Sequence, residues 1–285
     1  MNHSSATSPV TSNRILYTPS EFAKNHLIHL QETGTLQALS PHTNSRCGLQ
    51  SYLFFVVKSG QGSLIYNNTT YKLKKGDCVF IDCNLPYSHT PSPELWTLSW
   101  VHFYGSNMPG IYEKYLTRGG RPCFQSQNTE EYLHILNSIY QLAASTDYIR
   151  DMKIFEKLTA LLTLLMQDSW GSSSETKHPA GKRNLQDVKK YIDLHFHEKI
   201  LLDNLAEKFY INKFYLTRIF KEQFDISISR YIMQQRITHA KKQLRFTDHS
   251  MEEIALECGL NDANYFSRVF HKIEGVSPGE YRRQW

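Results

Sequence analysis

Polar side chains that suit the edges of DNA bases recur at equal spacing in the last third of the chain. Arg218 is followed fifty residues later by Arg268, and a guanidinium group can donate two hydrogen bonds to O6 and N7 of guanine. Asn264 carries the amide that pairs with adenine, and Thr217 carries a methyl group that can touch thymine. This combination predicts side chains that read base edges in the major groove.

The elements that hold these side chains are repeated as well. Leu205 returns as Ile254 at an offset of 49, and Phe220 returns as Phe270 at an offset of 50. Internal repeats mark repeated structural units. Each copy predicts a short helix, a turn and a longer helix, which together form a helix-turn-helix.

Capping residues place the boundaries of these helices. In the second copy Ser250 and Glu253 form a capping box, Gly259 suits the left-handed residue after the first helix, and Asp262 suits the start of the second. In the first copy the second helix is predicted to begin at residue 212 or 213 and to end at residue 224.

A spacing of 100° per residue divides the second helix of each copy into an apolar and a polar face. The outward positions are predicted to contact bases, and they are Phe214, Thr217, Arg218 and Lys221 in the first copy and Asn264, Ser267, Arg268 and His271 in the second. Phosphates are predicted to meet Asn212, Lys213 and Arg230. An ordinary amphipathic helix explains one copy equally well, but two tandem copies with Arg at the same outward position favour DNA binding.

A third helix is predicted between the two copies, over 228–245. Its length would be roughly 27 Å, which is near the roughly 34 Å between successive major-groove segments on one face of DNA. One chain could therefore present two reading helices to neighbouring grooves.

Two stretches resemble the AraC/XylS-type transcription regulators: 268–282 (RVFHKIEGVSPGEYR) resembles the family signature, and 236–241 (RITHAK) resembles its connecting helix. The resemblance covers 184–285 and implies two helix-turn-helix units that dock in adjacent major grooves. By position it places the base contacts on Phe214, Thr217, Arg218, Asn264, Ser267 and Arg268. Asp225 stands where the first unit often has Gly, and because Asp tolerates the left-handed conformation we expect a local stability cost and an unchanged fold.

Composition limits the remaining possibilities. A chain of 285 residues is long enough for two domains, and its formal net charge is +5. Residues 1–181 carry 14 basic and 13 acidic side chains and residues 182–285 carry 18 and 14, so the excesses are +1 and +4. This mild charge predicts that phosphate affinity comes from individually placed groups and weakens with salt.

The five cysteines form no CxxC pair and no zinc-finger spacing, which is typical of a reduced cytosolic protein. The sequence shows no signal-peptide pattern and no apolar run of the roughly 18 residues that span a bilayer. We therefore predict a cytoplasmic protein with no membrane partner and no cofactor.

Short β-rich runs dominate the residues from 52 to 104, with Gly and Asn turns between them, and the predicted strands are 52–58, 63–66, 69–73, 78–82 and 95–104. In the last run Trp96, Leu98, Trp100 and His102 share one face by alternation. Many short strands joined by such turns predict a small barrel or jelly roll.

Four stretches resemble the cupin-type sensor domain of many AraC-type regulators: Gly60–Gly62, Gly76–Cys83, Pro86 with His89, and Trp100–Phe103. The resemblance implies a barrel that binds a small effector, often a sugar. The family more often has Pro and His adjacent, so the spacing of Pro86 and His89 is a departure and leaves the role of His89 open.

The predicted effector-binding residues are Arg46, Trp96, Trp100, His102 and His89. A planar guanidinium and aromatic rings suit a polyol or a carboxylate, although core packing explains the tryptophans equally well. A cupin metalloenzyme would need a His-x-His pair and a third ligand. The β-rich region has no such pair, so we predict no metal site and no catalytic residue.

A second pattern, with helical periodicity, begins near residue 128. Ile154, Leu158, Leu161 and Leu165 form a heptad-like stripe that could pair with a second copy or pack on its own barrel. The family resemblance favours a homodimer. Small, polar and breaker-rich residues over 171–183 predict a flexible linker.

Together these patterns predict an α+β protein in which a cupin-like β-barrel or jelly roll with a helical extension precedes an all-α domain. The predicted parts are a disordered tail (1–12), an effector-binding domain (13–127), a helical dimerisation or packing segment (128–170), the linker (171–183) and a DNA-binding domain (184–285). We interpret the chain as a transcription regulator, an activator by family analogy, whose partners are double-stranded DNA, a small effector and RNA polymerase. Two alternatives stay open: a cupin enzyme with an incidental helical domain, and a ligand-independent DNA binder whose barrel serves only for dimerisation.

Overall fold

The chain divides into two compact units, Met1–Thr176 and Lys177–Trp285. The structure, a computed structural model, describes residues 9–171 and 185–284. Most of the predicted tail and nearly all of the predicted linker lie outside the described residues. Residues 10–12, predicted to be part of a disordered tail, belong instead to the first strand. Within the described ranges, no helix has the length and apolar character that crossing a membrane requires.

The first unit is built on one antiparallel sheet of eight strands. Its strands are Val10–Leu16 (β1), His29–Ala38 (β2), Asn44–Arg46 (β3), Tyr52–Tyr66 (β4), Thr69–Lys74 (β5), Asp77–Asp82 (β6), Tyr87–Tyr104 (β7) and Cys123–Gln125 (β8). The main strand order is β1-β2-β7-β4-β6-β8, with β3 on β7 and β5 on β4. The helices are Glu21–His26 (α1), Met108–Thr117 (α2), Thr129–Ala144 (α3) and Arg150–Gly171 (α4).

Both faces of this sheet are covered by apolar side chains. Successive residues of a strand point to opposite faces, and in β4 Phe54 and Val56 join a core shared with α2, α3 and α4. The alternate residues Leu53 and Phe55 join a second core enclosed by the strands. The predicted barrel with a helical extension is confirmed, and the double coverage explains why β4 begins as an unbroken apolar run.

The long strand β4 corrects the sequence-based boundaries. The predicted strands 52–58 and 63–66 are one strand whose pairing with β7 shifts between Val57 and Ser59 and again between Gly60 and Gly62. Gly60 has a φ of +71°, and a Cβ atom there would lie 1.7 Å from the carbonyl oxygen of Leu95. The glycines therefore bend a continuous strand at β-bulges instead of ending it.

The apolar stripe of α4 is used inside its own chain. Its four residues Ile154, Leu158, Leu161 and Leu165 are at most 1% exposed and belong to the core shared with the sheet and α3. Packing on its own barrel, one of the two alternatives for this stripe, is therefore what the structure shows.

The second unit is helical throughout its described residues. Its helices are Gln186–His195 (α5), Leu202–Lys208 (α6), Lys213–Phe224 (α7), Ile228–Phe246 (α8), Met251–Glu257 (α9), Ala263–Glu274 (α10) and Pro278–Gln284 (α11). Helix α8 contributes Ile228 and Tyr231 to one core with α5, α6 and α7. It contributes Ile237, Ala240 and Leu244 to a second core with α9, α10 and α11. Two helix-turn-helix lobes thus share one connecting helix, as predicted.

The predicted caps are present. Asn212 accepts backbone hydrogen bonds at the start of α7, the Ser250–Glu253 capping box starts α9, and Asp262 caps α10. Asp225 ends α7 in the left-handed conformation with φ of 61°, as expected for the position that Gly275 fills after α10. The local sequence chemistry of helix ends is therefore retained in the fold.

We predict that Gly60→Ala destabilises the first unit by about 2–4 kcal/mol, because the new Cβ combines a left-handed φ with a backbone overlap. Denaturant unfolding of the full chain, followed by the fluorescence of the buried Trp96 and Trp100, measures this loss. Gly110→Ala in α2 is the matched control, since a Cβ there meets nothing within 4 Å. Equal unfolding midpoints for the two variants would contradict the prediction.

Candidate nucleic-acid interface and effector cavity

Helix α7 presents its predicted base-reading residues to solvent. Phe214 is 75% exposed and the side chain of Arg218 is 66% exposed, whereas Leu216 and Phe220 on the opposite side are fully buried. The Arg218 guanidinium lies over the ring of Tyr215, 5.3 Å from its centroid. The exposed face is therefore available to a groove, with the arginine stem supported by an aromatic ring.

The remaining predicted base-contacting residues follow the same division. Lys221 on α7 and Asn264, Arg268 and His271 on α10 are exposed, while Thr217 and Ser267 are half-buried. Phe266 and Phe270 on the inner side of α10 are fully buried. In each lobe the second helix is thus amphipathic and packs on the lobe through its apolar face.

The three predicted phosphate contacts lie in different environments. The side-chain oxygen of Asn212 accepts hydrogen bonds from the Phe214 and Tyr215 amides, so it is engaged as a cap. The ammonium group of Lys213 lies 2.8 Å from a carboxylate oxygen of Asp203. Arg230 is exposed in the first turn of α8.

One short segment, Phe196–Glu198, joins the two lobes. From α8, the Arg236 guanidinium donates to the carbonyl oxygens of Phe196 and Glu198, each at 2.8 Å. From the other lobe, Gly259 approaches so closely that a Cβ atom would lie 2.2 Å from the His197 carbonyl oxygen. This contact, together with α8, fixes the placement of one lobe against the other.

Arg236 and Arg282 have structural roles that the sequence did not reveal. Arg282 of α11 donates to the carbonyl oxygen of His249 at 2.6 Å, and so ties the end of the chain to the loop before α9. Both lie within the family-like segments, but the residue type alone does not show that each one binds backbone carbonyl groups. An arginine that binds backbone carbonyl groups can be told from a solvent-exposed one only when the positions of those distant carbonyl groups are known.

A small cavity lies inside the barrel of the first unit, with a volume of about 40 Å³. Four of the residues predicted to bind an effector line it, namely Arg46, His89, Trp100 and His102. Arg14, Glu32, Asn44 and Tyr87 line it as well. Trp96 is placed differently: it is 2% exposed in the enclosed core and packs against Gly62 and Phe55. For Trp96 the structure shows the core-packing alternative.

Burial controls the charge of the cavity. Desolvation, reinforced by the Arg46 guanidinium, lowers the pKa of His89 to about 4 and that of His102 to about 3. The Ser51 hydroxyl lies 2.9 Å from Nδ1 of His102 and shares a hydrogen bond with it. Both histidines are therefore neutral at physiological pH.

A wider groove of about 890 Å³ opens on the same unit, bordered by β5 and β8. Its charged side chains are Lys72, Lys74 and Asp77, and none of the predicted effector residues lines it. Most of its lining side chains are neutral, whereas the small cavity brings guanidinium, imidazole and indole groups together. We therefore take the small cavity as the candidate effector site.

Metal chemistry has no visible basis in the part of the chain that the structure describes. No group of three or more His, Cys, Asp or Glu side chains is arranged there to hold a metal ion. The buried thiol of Cys83 has its pKa raised to about 12 by desolvation, so it is protonated at neutral pH.

Two helix-turn-helix lobes and a barrel with a polar cavity define a transcription regulator that combines DNA binding with ligand binding. Residues 22–162 match the model of the AraC-like ligand binding domain, and residues 205–284 match the model of a helix-turn-helix domain. The chain belongs to the family of AraC-type transcription regulators. This identification removes the alternative of a cupin enzyme.

Relatives with assigned names align over both units. The Msm operon regulatory protein of Streptococcus mutans is 23% identical over 235 residues, which cover 82% of this chain and 84% of that protein. The lactose operon transcription activator of Staphylococcus xylosus is 24% identical, with 83% and 85% covered. The transcriptional activator RhaR of Pectobacterium atrosepticum is 23% identical, with 81% and 83% covered.

We predict that Gly259→Ala loosens the junction of the lobes, because the added Cβ would overlap the His197 carbonyl group. Gly275→Ala is the matched control, since Gly275 is also left-handed but has nothing within 4 Å of its Cβ position. Hydrogen exchange of the full chain should show faster exchange in α9 and in Phe196–Glu198 for Gly259→Ala only. The expected stability difference between the variants is about 1–3 kcal/mol. Identical exchange in the two variants would show that the junction does not depend on this contact.

Proposed function

We propose that α7 and α10 enter consecutive major-groove segments and that one chain reads one bipartite DNA site. The observation that carries this proposal is the pair of exposed polar helix faces joined by a single helix. Helix α8 has 19 residues, so it spans roughly 28 Å. That length suits two groove segments separated by roughly 34 Å when each reading helix packs beyond an end of the connector.

The base contacts in this proposal are Phe214, Thr217, Arg218 and Lys221 of α7 with Asn264, Ser267, Arg268 and His271 of α10. Arg230 meets phosphate directly. Lys213 binds a phosphate after its ion pair with Asp203 breaks. Asn212 donates to a phosphate from its side-chain amide nitrogen, because only its side-chain oxygen is engaged in capping α7. These contacts explain how residues 182–285, with an excess charge of only +4, can bind a polyanion.

We infer that the effector is a polar metabolite of the sugar class, bound in the barrel cavity, and that the regulator is an activator. The relative from Staphylococcus xylosus is an activator of a lactose operon, and RhaR is also an activator. Arginine, histidine and indole groups around the cavity suit hydroxyl-rich ligands. Effector binding shifts DNA affinity to the extent that it favours one arrangement of the chain over another.

Further parts of the proposal concern assembly. We propose a homodimer that contacts RNA polymerase when bound near a promoter, with the effector domain over 13–127, a helical segment over 128–170 and the DNA-binding domain over 184–285. The buried stripe of α4 is not available for pairing, so the dimer uses another surface of the first unit.

Arg218→Ala and Arg268→Ala are each expected to weaken binding to the cognate site by about 1–3 kcal/mol and to relax base preference at one position. Lys221→Ala is expected to weaken cognate and random DNA more evenly, because a single ammonium group is less selective than a bidentate guanidinium. Titration of labelled cognate and random duplexes, at one fixed salt concentration, measures both effects.

The control variant is Arg245→Ala, which changes an exposed arginine near the end of α8 that is not among the proposed DNA contacts. It should retain most of the wild-type preference for the cognate site. Equal losses on cognate and random DNA for both arginine variants would assign Arg218 and Arg268 to phosphate and would remove the base-reading part of the proposal.

The homodimer predicts a sedimentation coefficient that rises with protein concentration in the micromolar range. We place the interface outside the exposed side of α4, so replacing a surface residue there, as in Thr163→Glu, should leave that concentration dependence unchanged. A chain that stays monomeric at all concentrations, with and without operator DNA, would refute the dimer.

A further inference from the structure

The charges that line the barrel cavity do not cancel. Its lining includes two guanidinium groups, Arg14 and Arg46, and one carboxylate, Glu32. Nε of Arg14 lies 2.8 Å from a Glu32 oxygen, so these two neutralise each other. The two cavity histidines are neutral because burial lowers their pKa values to about 4 and about 3. Arg46 is left as the excess positive charge.

The contacts of Arg46 are with neutral groups. Its guanidinium acts on the hydroxyl of Tyr87 and lowers the pKa of that group, whereas the neighbouring Cys83 thiol raises it. Burial raises the pKa of Tyr87 and of Cys83, so neither becomes an anion at neutral pH. Within the described residues, no carboxylate forms an ion pair with Arg46. A partly buried guanidinium with only neutral partners is stabilised most by an incoming anion.

One buried polar atom in the cavity wall lacks a hydrogen-bond partner. Nδ1 of His89 is buried and forms no hydrogen bond to any described residue. His89 and Arg46 lie on paired strands, where Asn44 of β3 is opposite His89 and Arg46 is opposite Tyr87. A ligand hydroxyl beside the carboxylate would satisfy this ring nitrogen, because a neutral imidazole nitrogen can either donate or accept.

The interior of the cavity is narrow, with a volume of about 40 Å³, which favours a small ligand over a sugar ring. One face of Trp100 already carries the Arg14 guanidinium, 5.3 Å from the ring centroid. A pyranose ring would have to displace Arg14 to stack there, whereas a three-carbon acid would not.

We propose that the barrel cavity binds a short sugar acid, a hydroxy-carboxylate of about three carbons, with its carboxylate on Arg46 and a hydroxyl on His89. This inference rests on the proposed effector site and narrows its ligand from the sugar class to small anionic members of that class. In this proposal Arg46 is the residue that makes the cavity prefer an acid over a neutral ligand. The ion pair of Arg14 and Glu32 stays intact and forms a polar part of the cavity lining.

The test is calorimetric titration of the full chain with glycerate and with two neutral analogues, glyceramide and glycerol. Glycerate should bind at least about tenfold more tightly than either analogue, because a charge-assisted bidentate contact to Arg46 is lost in both. Glucuronate and glucose test the size limit, and both should bind more weakly than glycerate.

Arg46→Gln should reduce the preference for glycerate over glyceramide to less than about threefold, because it removes the charge but keeps a donor of similar size. Arg121→Gln, at an exposed arginine outside the cavity, should leave the preference unchanged. Thermal unfolding of each variant without ligand shows whether it is folded.

Equal affinities for glycerate and glyceramide, or an unchanged preference in a folded Arg46→Gln variant, would overturn the inference. Tighter binding of glucose or glucuronate than of glycerate would overturn it as well. Operator binding measured on the same protein separates this failure from failure of the proposed function. If the chain binds operator DNA and responds to a neutral sugar, the proposed function stands and only the inference of an acidic ligand is refuted.

Discussion

The placement of two reading helices depends on the contact of both lobes with Phe196–Glu198. Helix α8 sets the distance between the lobes, and each lobe packs on its own part of that helix. Arg236 holds the segment against α8 through two carbonyl groups, and Gly259 brings the second lobe against the same backbone. The proposed bipartite site would reward this rigidity, because linked modules gain affinity only when their geometry allows both to bind at once.

The first unit uses the alternation of its strands to connect cavity and helices. Leu53 and Phe55 of β4 line the cavity, while Phe54 between them packs against Tyr132 of α3 with 4.9 Å between ring centroids. A movement of β4 around a bound ligand would therefore also move the neighbouring residues that pack on the helices. Only one layer of sheet separates the cavity from the helical extension.

Sequence reasoning succeeded where structure is set by neighbouring residues and failed where it is set by distant ones. The Ser250 capping box and the Asp262 cap placed α9 and α10, since both are local hydrogen bonds. Tyr210 was not foreseen: it is left-handed with φ of 53° at the position of the repeat that Gly259 fills in the second lobe. Strands β1 and β2 were also missed, because β2 owes its place to pairing with β7 far along the chain. Strand alternation predicted that Trp96 and Trp100 lie on the same face. It did not predict that, of the two, Trp100 lines the barrel cavity and Trp96 does not.

The stripe on α4 shows why an apolar pattern does not identify its partner. Leucines of such a stripe can be buried either against a second copy or against the protein's own sheet. Here the sheet and α3 bury them. On the exposed side of α4, Thr159 and Thr163 donate their hydroxyls to carbonyl groups one turn earlier in the helix. These two positions therefore offer no free hydroxyl donor to a second copy. Any pairing of this chain with a second copy must obtain its buried area elsewhere, because burying the α4 stripe again would first require unpacking the core of the first unit.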